Sequence, residues 1–250
     1  MASENKPTVL IVPGGCHVPI HYEPLTKVLS SHGFPSVALR LPTAGASPPD
    51  KDLHDDISYI SSKLEELVEK EGKEVIVIVH SYGGTPGPSA ARPYVKKERA
   101  QQDKKGGVIG LLYISSWGVP SGKSTMETIE ELNIDWMKIE GPTGFPSDGA
   151  RVFYNDVPPA DADFYASKLV THCWGSMTQP LTADCLNGVV PSVYLICEND
   201  NALPVSMQEQ LAKNIGEGCN IERCSAGHSP FISQPEVVAK IIRRLAGENI

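Results

Sequence analysis

The segment Glu74-Val75-Ile76-Val77-Ile78-Val79-His80-Ser81-Tyr82-Gly83-Gly84 runs through five β-branched apolar residues into a serine and then two glycines. β-Branched side chains favour extended backbone, and an apolar run without polar alternation suits a strand covered on both faces. The strand signal stops at Ser81, and small residues follow at once. A serine between a buried strand and a helix start is the pattern of a nucleophile on a sharp turn. Its hydroxyl stands clear of the strand end, and neighbours without side chains let the turn close. Val79 is a departure, because G-x-S-x-G has its first glycine there. A bare S-x-G is common by chance, so the apolar strand in front of it is what gives this one meaning.

Further strands are predicted at Thr8 to Val12, Ser36 to Leu41, Val108 to Ile114 and Ser192 to Cys197, with a shorter one at Ile221 to Cys224. Helical spacing of apolar residues marks Tyr22 to His32, Leu53 to Lys70, Val205 to Ile215 and Glu236 to Leu245, and Gly33 is placed to stop the first of these. This alternation predicts an α/β fold, with a mostly parallel central sheet covered by helices on both faces. From Gly118 to Val190 the pattern changes. Pro, Gly and aromatic residues break up short helical pieces, and no strong strand is expected before Ser192. The division is therefore a core of residues 1–117 and 191–250, with residues 118–190 inserted as a helical cap over the strand ends. The charge run Lys96 to Lys105 reads as a solvated helix end or loop.

With 250 residues, 40% of them apolar, the chain suits one sizeable core. Its net charge of -8 is spread along the sequence, which disfavours nucleic acid and anionic membrane surfaces and leaves a small molecule as the expected partner. The N-terminus lacks a basic stretch followed by an apolar one, and no run approaches the ~18 apolar residues of a membrane span. A soluble, cytoplasmic protein is the expectation. Cys16, Cys173, Cys185, Cys197, Cys219 and Cys224 show no C-x-x-C pairing, so reduced thiols are expected, with neither a disulfide framework nor a metal site.

A nucleophilic serine on such a fold needs an acid after a late strand and a histidine near the C-terminus, in that order. Asp200 follows Val193-Tyr194-Leu195-Ile196-Cys197, and His228 precedes the last helix. Glu198 is the rival acid but lies nearer the strand end. His32, His54, His80 and His172 are read as hydrogen-bonded core or surface residues. An oxyanion needs backbone N–H donors. Tyr82, after the nucleophile, offers one, and Gly15, in the loop Pro13-Gly14-Gly15-Cys16-His17, is nominated for the other.

These residues together resemble the α/β-hydrolase superfamily over essentially the whole chain, and within it the plant methylesterase and hydroxynitrile lyase family with its microbial relatives. The first loop shares that family's Cys-His pair, here Cys16-His17, but not its leading histidine. The interval from Asp200 to His228 is also similar, which supports Asp200 over Glu198. The lyases carry a lysine after the histidine and a threonine in the first loop; here those positions hold Ser229 and Gly14. The resemblance therefore implies a serine hydrolase acting on a small hydrophobic or aromatic ester or lactone, without metal or organic cofactor. A non-hydrolytic lyase or cyclase, or a ligand-binding protein that keeps the triad, is the alternative. Substrate contacts are expected from His17, Trp117, Trp136, Tyr154 and Trp174. The resemblance leaves a homodimer open.

Overall fold

A computed structural model describes residues 6–128, 135–182 and 189–250; Cys185 and residues 1–5 of the N-terminal reading lie outside the described residues. The central sheet has six strands: β1 (Thr8–Val12), β2 (Ser36–Ala38), β3 (Glu74–His80), β4 (Gly107–Ile114), β8 (Ser192–Cys197) and β9 (Cys219–Cys224). Their order across the sheet is β2-β1-β3-β4-β8-β9, and every pairing is parallel.

Side chains alternate across these strands, and both faces are buried. Leu10, Val12, Val77, Val79 and Tyr113 point into one core, beneath α2 (Leu53–Glu65), α3 (Pro86–Ala91) and α8 (Val205–Ile215). Val9, Ile11, Ile76, Ile78 and Leu112 point into the other, beneath α1 (Glu23–Ser31) and α10 (Pro235–Leu245). That is why β3 reads as an unbroken apolar run. Asp52 caps α2 by accepting from the N–H groups of His54 and Asp55 at 2.8 and 3.1 Å. Among the described residues no helix is long and apolar enough to cross a membrane.

Three sequence expectations are modified. β2 ends at Ala38 rather than Leu41; Leu39 still donates to Ile11, but the chain then turns away toward Pro42, which has no N–H to continue a ladder. The charge run forms α4 (Lys96–Ala100) and is solvated except at Arg99, which is 5% exposed and pairs with Glu69 and the carbonyls of Lys105 and Gly106. The segment between β4 and β8 does carry short helices, α5 (Gly149–Phe153), α6 (Pro159–Ala166) and α7 (Gly175–Thr178). It also holds an unexpected antiparallel sheet of β5 (Met137–Glu140), β6 (Thr143–Pro146) and β7 (His172–Cys173). Strands this short, with Gly144 and Pro146 inside one of them, leave no period-2 signal to read.

Candidate active site

β1 has β2 on one flank and β3 on the other, so the connections leaving their C-terminal ends diverge and open a crevice. The loop at 13–17 and the turn at 81–84 border it. Ser81 sits at the end of β3 with φ +49°, in the left-handed region that non-glycine residues rarely occupy. Two bonds to its carbonyl hold it there: the Ser116 hydroxyl donates at 2.8 Å and the Trp117 N–H at 3.1 Å. The glycines behind it are required by contact. A Cβ on Gly83 would lie 2.5 Å from the Val12 carbonyl oxygen, and one on Gly84 would lie 2.2 Å from that of Trp117. The departure at Val79 has its own compensation, since Val79 Cγ1 fills the space where Gly87 of α3 has no Cβ; one built there would be 2.5 Å away.

Asp200 and His228 arrive from the opposite side of the crevice, on the loops after β8 and β9. Asp200 Oδ1 accepts from the N–H groups of Ala202 and Leu203 at 2.7 and 2.9 Å. Its Oδ2 accepts from the Ser115 hydroxyl, from Gln208 Nε2 at 3.4 Å and from His228 Nδ1 at 2.8 Å. With the proton on Nδ1, Nε2 is left as the basic nitrogen. Glu198, the rival acid, is exposed and lies 3.7 Å from Arg223. Ser81 and His228 line one pocket, but the hydrogen bond expected between them is not formed, and Nε2 has no partner among the described residues. Such bonds are often long without substrate and tighten in the complex.

A buried chain of bonds ties the first loop, the serine turn and the histidine together. Gly14 N–H donates to the Tyr22 hydroxyl at 3.0 Å, the hydroxyl donates to His80 Nδ1 at 2.9 Å, and His80 Nε2 donates to the His228 carbonyl at 3.1 Å. Only one tautomer of His80 satisfies both its contacts. Burial, with His228 and His17 nearby, holds its pKa well below the usual imidazole value, so it stays neutral. Tyr22 takes the Gly14 N–H, and Gly15 is the glycine of this loop that lines the pocket, together with Tyr82.

Trp117, Trp136 and Trp174 line the pocket as expected. His17 and Tyr154 do not. The His17 ring is 1% exposed, packs against His21, His80 and Phe153, and bonds the Gly15 carbonyl through Nδ1 at 2.8 Å. Tyr154 is fully buried against His21, because its neighbour Phe153 takes the wall position and stacks on the His228 imidazole at 5.2 Å. Consecutive residues leave the backbone in different directions, so the two rings part. The Tyr82 side chain is likewise no pocket donor: its hydroxyl bonds buried Asp56 at 2.8 Å. His172, Met126, Met137 and Met177 also line the pocket and carry no motif that would have singled them out. Among the described residues no cluster of three His, Cys, Asp or Glu could hold a metal ion.

The chain is 33% identical over 251 residues to alpha/beta hydrolase nvfD of Aspergillus novofumigatus, covering 98% of each chain. It is 22% identical to methylesterase 7 of Arabidopsis thaliana, again covering 98% of each. Among solved structures, a pyrethroid hydrolase from Sphingobium faniae JZ-2 superposes with a TM-score of 0.75 over 96% of this chain and 97% of that one, at 19% identity, a likeness of fold. The sequence model of the alpha/beta hydrolase family matches residues 9–241, nearly the whole sheet and its helices, and the chain therefore belongs to that family.

Proposed function

We propose that the chain is a serine hydrolase that cleaves a small apolar or aromatic carboxylic ester or lactone through an acyl-enzyme on Ser81. The observation that carries this reading is Ser81 in a left-handed turn, on the wall of the same pocket as an imidazole whose Nδ1 is bonded to Asp200 and whose Nε2 has no partner among the described residues. His228 Nε2 takes the Ser81 proton as Oγ attacks the carbonyl carbon. The N–H groups of Gly15 and Tyr82 receive the oxyanion, and the departing alkoxide takes the proton back from His228. Water, activated by the same nitrogen, then releases the acid and restores the serine. Asp200 holds the tautomer and stabilises the imidazolium without taking the proton.

The pocket is mostly aromatic and thioether surface, which suits an apolar substrate. The name of methylesterase 7 is in keeping with ester chemistry. Ser229, directly after the base, is buried and uncharged, so no cation stands there for a cyanide leaving group. The test is labelling by a fluorophosphonate probe together with hydrolysis of short p-nitrophenyl esters. Wild-type protein should label and turn over, while Ser81→Ala should lose the label and about 10⁴-fold or more in kcat. Folded wild-type protein that does not label would sink the reading.

A further inference from the structure

One wall of the pocket differs in kind from the rest. Where the other walls of the insertion present tryptophan, phenylalanine and methionine, β7 presents the imidazole of His172, which is 3% exposed. Its ring meets that of Tyr82 edge-on, with centroids 4.5 Å apart, and a Cβ on Gly15 would lie 3.7 Å from His172 Cγ. The imidazole thus stands beside both residues whose N–H groups are assigned to the oxyanion.

Its partners fix its tautomer. Ser176 Oγ lies 2.9 Å from the Cys173 carbonyl oxygen and 3.0 Å from His172 Nε2. A carbonyl only accepts, so the single Ser176 proton goes to Cys173, and Nε2 must carry the hydrogen it donates to Ser176. Nδ1 is then a bare acceptor, buried and without a partner among the described residues. Burial lowers the imidazole pKa to about 4, so that acceptor persists at neutral pH. Buried acceptors in native proteins are nearly always satisfied, and an unsatisfied one on a residue that lines the pocket points to a donor brought by the ligand.

We propose that His172 is a specificity-determining contact, whose Nδ1 accepts a hydrogen bond from a substrate hydroxyl one or two carbons from the reacting carbonyl. The site is then built for hydroxy-substituted apolar esters or lactones. Placing the hydroxyl relative to the carbonyl rests on the hydrolase reading, but the acceptor itself does not. A site built to bond a hydroxyl discriminates strongly against the analogue that lacks it, because its own polar group is left unpaired.

The test measures binding, by calorimetry on the Ser81→Ala protein, of methyl 3-phenylpropanoate and of its 2-hydroxy and 3-hydroxy derivatives. One hydroxy ester is expected to bind roughly tenfold or more tightly than the unsubstituted one. That preference should vanish when His172→Phe is added and survive in part with His172→Gln, which keeps an acceptor. A preference for neither derivative, or one that persists unchanged in His172→Phe, overturns the proposal; the first comparison needs no change at position 172. Turnover by wild-type protein separates the two readings. Hydrolysis without hydroxyl preference removes this inference and keeps the hydrolase, whereas hydroxyl preference without hydrolysis does the reverse.

Discussion

Ser81 keeps its left-handed backbone only because its carbonyl is bonded twice and its neighbours are shaped to let the turn close. The least ordinary part of that shaping is the pair Val79 and Gly87. A side chain at 79 is tolerated because the helix that follows the turn has none at the facing position. Gly87→Ala is therefore expected to cost about 1–3 kcal/mol by overpacking, despite the better helix propensity of alanine. Combining it with Val79→Ala should recover much of that loss, and a double-mutant cycle from urea melts should show a coupling of about 0.5–3 kcal/mol. Strict additivity would mean that the two positions do not share the space.

At the level of elements, the site is held by loops from separate segments that grip one another. Asp156, between α5 and α6, accepts from Gly227 N–H at 2.7 Å and from the Ser233 hydroxyl at 2.6 Å, on either side of His228 in sequence. Asn155 donates to the Asn199 carbonyl at 2.9 Å, next to Asp200. One corner of the segment between β4 and β8 thus fixes both the acid loop and the histidine loop. Asp156→Ala leaves Gly227 N–H without its acceptor and frees the histidine loop. Its stability should fall by about 1–3 kcal/mol. Small displacements of reacting groups are costly, so kcat for a p-nitrophenyl ester should drop about 10- to 100-fold with KM little changed. A lower melting temperature with unchanged kcat would mean that Asp156 only braces the fold.

For the whole molecule, the two buried faces of the sheet make room for few charges, and among the described residues Asp56 is the one carboxylate with no exposure that bonds directly to a residue of the serine turn. Thr43 donates to it twice, from its N–H at 3.1 Å and its hydroxyl at 2.7 Å, and Tyr82 donates once at 2.8 Å. Burial outweighs these donors and pushes its pKa up to about 6. In the unfolded chain the value is about 3.9. Between those two values the native state holds a proton that the unfolded state has lost. This contribution is fully present below the unfolded value and is lost as pH rises through about 6. It amounts to something on the order of 3 kcal/mol. Chemical denaturation from pH 4 to pH 7 should therefore show a shallower fall in stability with pH in Asp56→Asn than in wild type. An identical slope would mean that Asp56 is already ionised at the acid end.

Much of this protein is written locally. The β-branched runs mark the parallel strands because a strand buried on both faces has no use for polar residues. Ser81, Asp200 and His228 stand out by residue type and order along the chain, and the strand ends that carry them converge in the structure. Pocket shape is not local in this way. Phe153 rather than Tyr154 faces the pocket because of the direction each side chain takes from a helix end, and no periodicity records that. His172 reaches the wall only because β7 pairs with β6 and bridges to Ala44, contacts made across more than a hundred residues of chain in the second case. Nor does anything near Val79 in the sequence announce that Gly87 makes room for it. The order of the elements and the chemical groups available are legible in the chain, because periodicity and residue type are properties of short segments. Which aromatic and imidazole rings surround Ser81 is set by the folded arrangement, because that depends on how distant segments meet and on which way each side chain then points.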